Sequence, residues 1–273
     1  MSENIERLMR TKLEAKYPAK AGQTIGVLIN QWWNDLEFVR KRHRLGHRAY
    51  WTGFDLGHVI SSAGTQYATT PDAASLDITA DLGVVVKCAL TDWTPTVQAQ
   101  LVSKYLTTGD ERTFRFTVEA TTGYLGLRHS DDGEFAAEHT MLSTVAPTVS
   151  DGNDLYVGFT LDTDNGAGGH DAKFWTSPDG VVWTQLGATV THGAVASIYN
   201  GPADVYTGKY EDGGVLGDGG TIHLAQIFDG IGANTAPNQG TKLTEYDAEL
   251  ASAGSPHDDG YGHTWTTTGG SFG

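Results

Sequence analysis

The chain has one cysteine, three methionines and eight prolines among 273 residues. With Cys88 alone, no intrachain disulfide is possible. No apolar run approaches the roughly 18–20 residues of a membrane-spanning helix, so insertion into a membrane is not expected. The first residues are charged and polar, unlike a secretory leader. Cations are scarce too: 18 Lys and Arg stand against 33 Asp and Glu, for a formal charge of −15. That balance argues against nucleic acid as a partner, because phosphate binding needs clustered Lys and Arg. Also missing are an H-E-x-x-H helix, a G-x-S-x-G elbow, a phosphate-binding P-loop and a dinucleotide fingerprint.

What is present changes character near residue 56. Residues 1–57 hold ten Lys and Arg and six Asp and Glu, a net charge of +4; the rest carries −19. The 35 glycines exceed the average usage of about 7% and are scattered, which suits tight turns between short strands. The reading is an N-terminal helical segment for anchoring or oligomerisation over residues 1–55 and a β domain over 56–273.

In the N-terminal segment Ser2 can cap a helix carrying Ile5, Leu8, Met9 and Leu13 at helical spacing. Pro18 ends it. Thr24 can cap a second helix, along which Ile25, Leu28, Ile29, Trp32, Trp33, Leu36 and Val39 recur in steps of three and four. Arg40, Lys41 and Arg42 fall in its last turn, where cations suit the carbonyl end. Two short helices form no core by themselves, so this stripe must pack on the β domain, on copies of itself or on another protein. If it docks on another chain, Trp32 and Trp33 are the anchors, and the cations from Arg40 and Arg42 onward meet an acidic surface.

From Thr65 the chain reads as short runs between turn residues. The expected strands are Gln66–Thr69, Leu82–Leu90, Gln98–Tyr105, Thr113–Glu119, Tyr124–His129, Glu134–Glu138, Leu155–Asp162 and Lys173–Thr176. Further strands are expected at Trp183–Thr191, Ala203–Tyr210, Gly220–Phe228, Thr241–Glu249 and Thr264–Thr268. Turns fall at Asp131-Asp132-Gly133, Asp164-Asn165-Gly166, Asp179-Gly180 and Asp212-Gly213-Gly214. Many strands with no crossover helices indicate a mainly β fold, a two-sheet antiparallel jelly-roll sandwich. Cys88, inside Val84–Leu90, reads as a buried strand thiol.

The stretch that opens Tyr67-Ala68-Thr69-Thr70-Pro71-Asp72 and runs to Asp81 resembles the opening of laminin-G-like, concanavalin A-like domains. So do Ala89-Leu90-Thr91-Asp92-Trp93-Thr94-Pro95, Leu101-Val102-Ser103-Lys104-Tyr105 and the aromatic hairpin Phe174–Trp183. Ile222–Ile231 and Gly262-His263-Thr264-Trp265-Thr266 complete the likeness. Together these most resemble the laminin-G-like domains in virion proteins of tailed actinobacterial phages: minor tail proteins, head fibres and capsid decorations. The likeness spans about residues 56–273. It implies a non-enzymatic structural protein at the virion surface, assembled in the host cytoplasm. Its helices would grip capsid or tail proteins, and its lectin-like sandwich would be displayed towards host-surface glycans. A homo-oligomer is expected because the Ile25–Val39 stripe needs a partner, a trimer is what the likeness implies, and no cofactor is expected for binding. Two other readings stay open: a free carbohydrate-binding or adhesion module, and a glucanase.

The glucanase reading rests on Glu245-Tyr246-Asp247-Ala248-Glu249, since on a strand a period of two puts three carboxylates on one face. Solvated acids on an edge are the alternative. Asp162-Thr163-Asp164-Asn165-Gly166, with Asp171, offers the oxygen ligands calcium prefers, as does Asp151-Gly152-Asn153-Asp154; a simple Asn-Gly hairpin accounts for the first. Ser177-Pro178-Asp179-Gly180 before Trp183 reads as a structural hairpin in which Ser and Asp bond the turn. The ten histidines are spread along the chain. His43 and His47 share i, i+4 spacing among cations, so no metal site is expected. Trp93, Tyr105, Tyr124, Trp175, Trp183, Tyr199, Tyr206 and Trp265 fit core or turn packing, and any that line an exposed face would stack on sugars.

Overall fold

The computed structural model describes residues 57–60, 65–231 and 235–272. The chain divides into two units, Met1–Phe54 and Asp55–Gly273, and the description concerns the second. The expected helices, with Ile25, Leu28, Ile29, Trp32, Trp33, Leu36, Arg40 and Arg42, lie outside the described residues, as do His43 and His47.

The strands, in chain order, are β1 (His58–Ile60), β2 (Tyr67–Thr70), β3 (Leu82–Leu90), β4 (Ala99–Leu106), β5 (Glu111–Val118), β6 (Leu125–Ser130), β7 (Glu138–Leu142) and β8 (Leu155–Asp162). Then come β9 (Gly169–Ser177), β10 (Thr184–Gln185), β11 (Val190–Gly193), β12 (Val205–Thr207), β13 (Gly220–Asp229), β14 (Thr241–Asp247), helix α1 (Ala248–Ala253), β15 (His257–Asp258), β16 (Thr264–Thr268) and β17 (Ser271–Phe272). One sheet runs β10-β9-β8-β3-β13-β1-β17, with β11 also beside β9 and β14 beside β13. The other runs β15-β16-β2-β12-β4-β5-β6-β7. Every pairing is antiparallel, for example β3 with β8 and β13, and β5 with β4 and β6. The two sheets make a sandwich of the jelly-roll kind.

Alternation decides what each strand buries. In β5 and β6, Phe114, Phe116, Leu125 and Leu127 face inward. From the other sheet come Val84, Val86, Phe159, Leu161 and Phe174. Phe116 and Phe159 meet edge to face at 5.1 Å, one ring from each sheet. Trp265 is buried against Tyr246 and donates its indole N–H to Thr244 at 3.0 Å. Cys88 is fully buried, and burial pushes its thiol pKa up, so it is an inert core residue.

The run Val84-Val85-Val86 is apolar on both faces because β3 is covered on both faces. Val85 points away from the main core to a second cluster with Tyr156, Leu224, Phe228 and Ile231. A loop carrying Ile231 and Pro237 presses on the sheet there. It can do so because neighbouring strands present Gly83 and Gly158. A Cβ on Gly83 would sit 2.6 Å from the Pro237 carbonyl, and one on Gly158 would sit 2.9 Å from the Pro237 ring.

Several expected strands are shifted by one or two residues at an end, Lys173–Thr176 is extended to Gly169–Ser177, and four differ more deeply. The Glu134–Glu138 strand starts only at Glu138, because residues 135–137 form a 3-10 turn. The hairpin turn is widened by Ser130, whose hydroxyl accepts from Gly133 N–H and donates to the Glu134 carbonyl. Trp183–Thr191 is two short strands, β10 and β11, on either side of a loop. Ala203–Tyr210 shrinks to Val205–Thr207, since Gly208 has φ +87°, where a strand cannot continue. Thr241–Glu249 stops at Asp247, which caps α1.

An ion cluster ties β3, β13 and the loop before β8. Asp154 sits 3.0 Å from His223 and 3.1 Å from the Lys87 ammonium. The bond from His223, with that from Lys87, holds the Asp154 carboxyl down at about 2. A carboxylate depressed by folding adds stability above its ordinary range, and that stability is lost as pH falls from about 4 towards about 2. Asp154→Asn should therefore lower Tm measurably at pH 7, with the difference from wild type shrinking below about pH 4 and vanishing only below about pH 2 in thermal melts followed by circular dichroism.

Candidate functional site

The outward face of the second sheet holds one candidate site. Register aligns Thr69 of β2, Tyr206 of β12, Ser103 of β4, Arg115 of β5, Arg128 of β6 and Thr140 of β7 in one row across six strands. Their chain neighbours Ala68, Val102, Phe116 and Leu127 point into the core, so this row faces outward. Tyr67 joins Tyr206 on the same face with ring centroids 5.5 Å apart. The Lys209 ammonium lies 4.7 Å from the Tyr67 ring centre and 5.5 Å from that of Tyr206. Both tyrosines and Lys209 are half-buried.

Beside this pair, Tyr105 meets Tyr210 edge-on at 5.5 Å. The Arg115 guanidinium lies 4.6 Å from the Tyr105 ring centre and 5.6 Å from that of Tyr210. Tyr105 donates to Glu138 at 2.5 Å. Burial, with this bond, pushes the Tyr105 phenol up to about 12, so it stays a donor. Arg128 forks onto Glu119 at 2.9 and 3.3 Å. Burial opposes ionisation of Glu119, but the bonds from Arg128, Thr117 and Gln98 outweigh it, and its pKa lies below the usual range. These ion pairs brace the face. The Tyr67, Tyr206 and Lys209 group, with Tyr210, offers flat apolar rings beside a cationic donor, the chemistry that takes up a sugar ring.

A second cluster sits between the two sheets at one edge. His129 of β6 is directly opposite His139 of β7, and His170 of β9 is directly opposite His192 of β11. The first pair stacks at 4.8 Å and the second meets edge-on at 5.3 Å. His139 and His170 bridge the pairs, with ring centres 4.8 Å apart. Burial, with the neighbouring His139 and His170 rings, pushes His129 down to about 3, so this ring is neutral. Burial and the same two neighbours also lower His192. Along the sequence the ten histidines are spread out, and no metal site is expected from them. Four of them in fact converge, because two hairpin registers face each other across the sandwich.

The other sequence candidates resolve differently. Glu245 is bonded by Gln226 at 2.6 Å and Lys242 at 2.5 Å. Asp247 ends the strand and accepts from Glu249 N–H at 2.9 Å as the helix N-cap, while Glu249 is exposed on α1. The three carboxylates thus do not share a strand face, and the motif marks a strand-to-helix junction. In the Asp162–Gly166 turn, Asp162 and Asp164 accept backbone N–H groups two residues on, and Asp171 accepts from Asn165 and Thr191. Asp151 holds the Trp93 N–H at 2.9 Å. Asp162 and Asp164 thus serve their own turn, while Asp171 and Asp151 tie it and the preceding loop to other segments. Ser177 and Asp179 bond the backbone of Gly180, Val181 and Val182, as the hairpin reading expects, and Trp183 meets Tyr156 edge-on at 6.4 Å. Trp93, Tyr105 and Trp265 are buried, and only Tyr206 of the singled-out aromatics joins the tyrosine pair. Tyr67 and Tyr210 were missed; the alternation of Tyr67 with buried Ala68 was the available signal.

A shallow hollow of about 390 Å³ beside β1 and β13 is lined by Val59, Ala89, Thr91, Asp218 and Thr221 among others. Its one carboxylate, Asp218, is taken by Thr96.

No protein-family model and no curated protein matches the chain. Among solved structures, it is similar to a candidate carbohydrate-binding protein from Bacteroides ovatus ATCC 8483, with a TM-score of 0.52 and 10% identity over 80% of this chain. The match spans 59% of that protein. The CBM40 of the Ruminococcus gnavus IT-sialidase gives a TM-score of 0.45 at 20% identity, over 65% of this chain and 92% of that one. The LG1-3 region of the laminin α2 chain gives 0.41 at 13% identity, over 66% of this chain and 33% of that one. The first of these likenesses establishes the sandwich fold.

The junction reading of the acidic motif has a measurable consequence. Asp247→Ala should cost about 1 kcal/mol for the lost cap, while Glu249→Gln should stay within about 0.5 kcal/mol of wild type, both by urea denaturation.

Proposed function

We propose that this protein is a non-enzymatic carbohydrate-binding module whose site is the outward face of the second sheet around Tyr67, Tyr206, Lys209 and Tyr210. The observation that carries this reading is the half-buried Tyr67–Tyr206 pair with Lys209 across it. A sugar ring stacks its C–H face on such rings and takes hydrogen bonds from the lysine. The braced Arg115, Arg128, Glu119 and Glu138 network keeps the face preorganised, which lowers the ordering cost of binding. The likeness to a candidate carbohydrate-binding protein supports the same reading. A glucanase is disfavoured by the split of Glu245, Asp247 and Glu249 between strand and helix.

The test is a glycan array with the full chain, followed by titration of the best hit. Tyr67→Ala and Tyr206→Ala should each weaken binding by about tenfold, the scale of one lost stacking contact, with unchanged circular dichroism. Wild-type affinity in the double variant overturns the site.

The charge division, +4 over residues 1–57 against −19 beyond, supports a two-part layout, and the resemblance of residues 56–273 to laminin-G-like virion domains supports a setting for it. We infer a displayed protein of a tailed-phage virion, gripped by capsid or tail through residues 1–55, with repeated copies giving avidity to weak single sites. Deleting residues 1–45 should leave a folded sandwich that no longer joins particles in sedimentation. Retention of the shortened protein on particles counts against this setting.

A further inference from the structure

We propose that His139, His170 and His192 form a binding site for a borderline divalent transition metal, such as zinc, that clasps the two sheets together. One ligand atom from each ring lies within 4.8 Å of the others. A tetrahedral zinc centre with bonds of about 2.0–2.1 Å holds its ligands about 3.3 Å apart, so small ring movements close the site.

Two of the rings have the outer hydrogen bonds that metal-binding imidazoles carry. His170 is fully buried and bonds the Ala194 carbonyl through Nδ1 at 2.8 Å. Its Nε2 is buried without a hydrogen-bond partner. That bond fixes the ring and leaves the other nitrogen for a ligand, the arrangement in which outer partners hold metal-binding imidazoles. His139 bonds the Asp131 carboxylate at 3.0 Å through Nε2. Asp131 is itself held by Ser197 N–H at 3.0 Å. A carboxylate–histidine pair of this kind raises ligand basicity. His192 is half-buried and gives an entry path from solvent.

The ligand set selects the ion. Three imidazoles suit zinc, nickel or copper, whereas calcium and magnesium need oxygen ligands. Position selects the role. His139 comes from β7 at the edge of one sheet, and His170 and His192 from β9 and β11 at the edge of the other. A metal here would join β7 directly to β9 and β11, whose flanking turns are already tied by the bonds from Ser197 N–H to Asp131 and from Ala188 N–H to Thr144. Without one, the buried imidazole nitrogen of His170 stays desolvated and unpaired, which costs stability.

The test uses the full-length chain, stripped with chelator and titrated with Zn²⁺ by calorimetry, with Tm followed in parallel. Wild type should bind one equivalent at these residues and melt at higher temperature with Zn²⁺, and Co²⁺ should give the visible absorption of a tetrahedral site. His139→Ala/His192→Ala, both at half-buried positions, should fold, lose the Tm shift and bind about a hundredfold more weakly. Asp131→Asn should weaken binding by about tenfold. His43→Ala/His47→Ala, which removes the other histidine pair, should keep both the shift and the affinity. Absence of a Zn²⁺ shift in wild type, its survival in His139→Ala/His192→Ala, or equal protection by Ca²⁺ overturns the assignment.

Discussion

Phe116 and Phe159 meet edge to face at 5.1 Å, one from each sheet, at the heart of the layer that both sheets fill. Apolar burial between two such layers is the main favourable term in a fold of this kind. It also fixes register. A slip of one residue would turn Phe114 and Phe116 outward and bring Arg115 inward. Because that slip is forbidden, Thr69, Tyr206, Ser103, Arg115 and Arg128 line up on the opposite face. The tyrosine platform is therefore the obverse of the core. The histidine pairs sit at the same inner level as Phe114, which is directly opposite His129.

Most of the sandwich was legible in the sequence. Leu82–Leu90, Leu155–Asp162 and Thr264–Thr268 were read with their observed bounds, because each has a strong apolar or β-branched run closed by turn residues. Errors came where local bonds override propensity. Asp247 looks like one more strand residue, but its side chain caps a helix. The Ser130 hydroxyl widens a turn by several residues and shifts the next strand. Strands β1, β15 and β17, of two or three residues, carry too little pattern to be seen.

The sites were less legible for a topological reason. Once β7 is placed four residues later than the sequence suggests, His139 falls opposite His129. The His170–His192 pair depends on a strand that returns after a long loop, and its meeting with the first pair depends on how two sheets stack. No spacing rule within the chain encodes such a meeting. Lys104 makes the same point from the polar side. Its parity sends it inward, opposite Val205 and Phe114, and it is nonetheless satisfied by Asp72 and the carbonyls of Gly201 and Ala203. A buried ammonium with three acceptors specifies where the loops before β12 and after β2 must lie.

The pairing of β1 with β17 sets His58 opposite Phe272. The sandwich is thus entered and left through adjacent strands at a single corner. A body with both its doors side by side can be spliced into a surface loop of another protein, or hung from one stalk, without stretching its own frame.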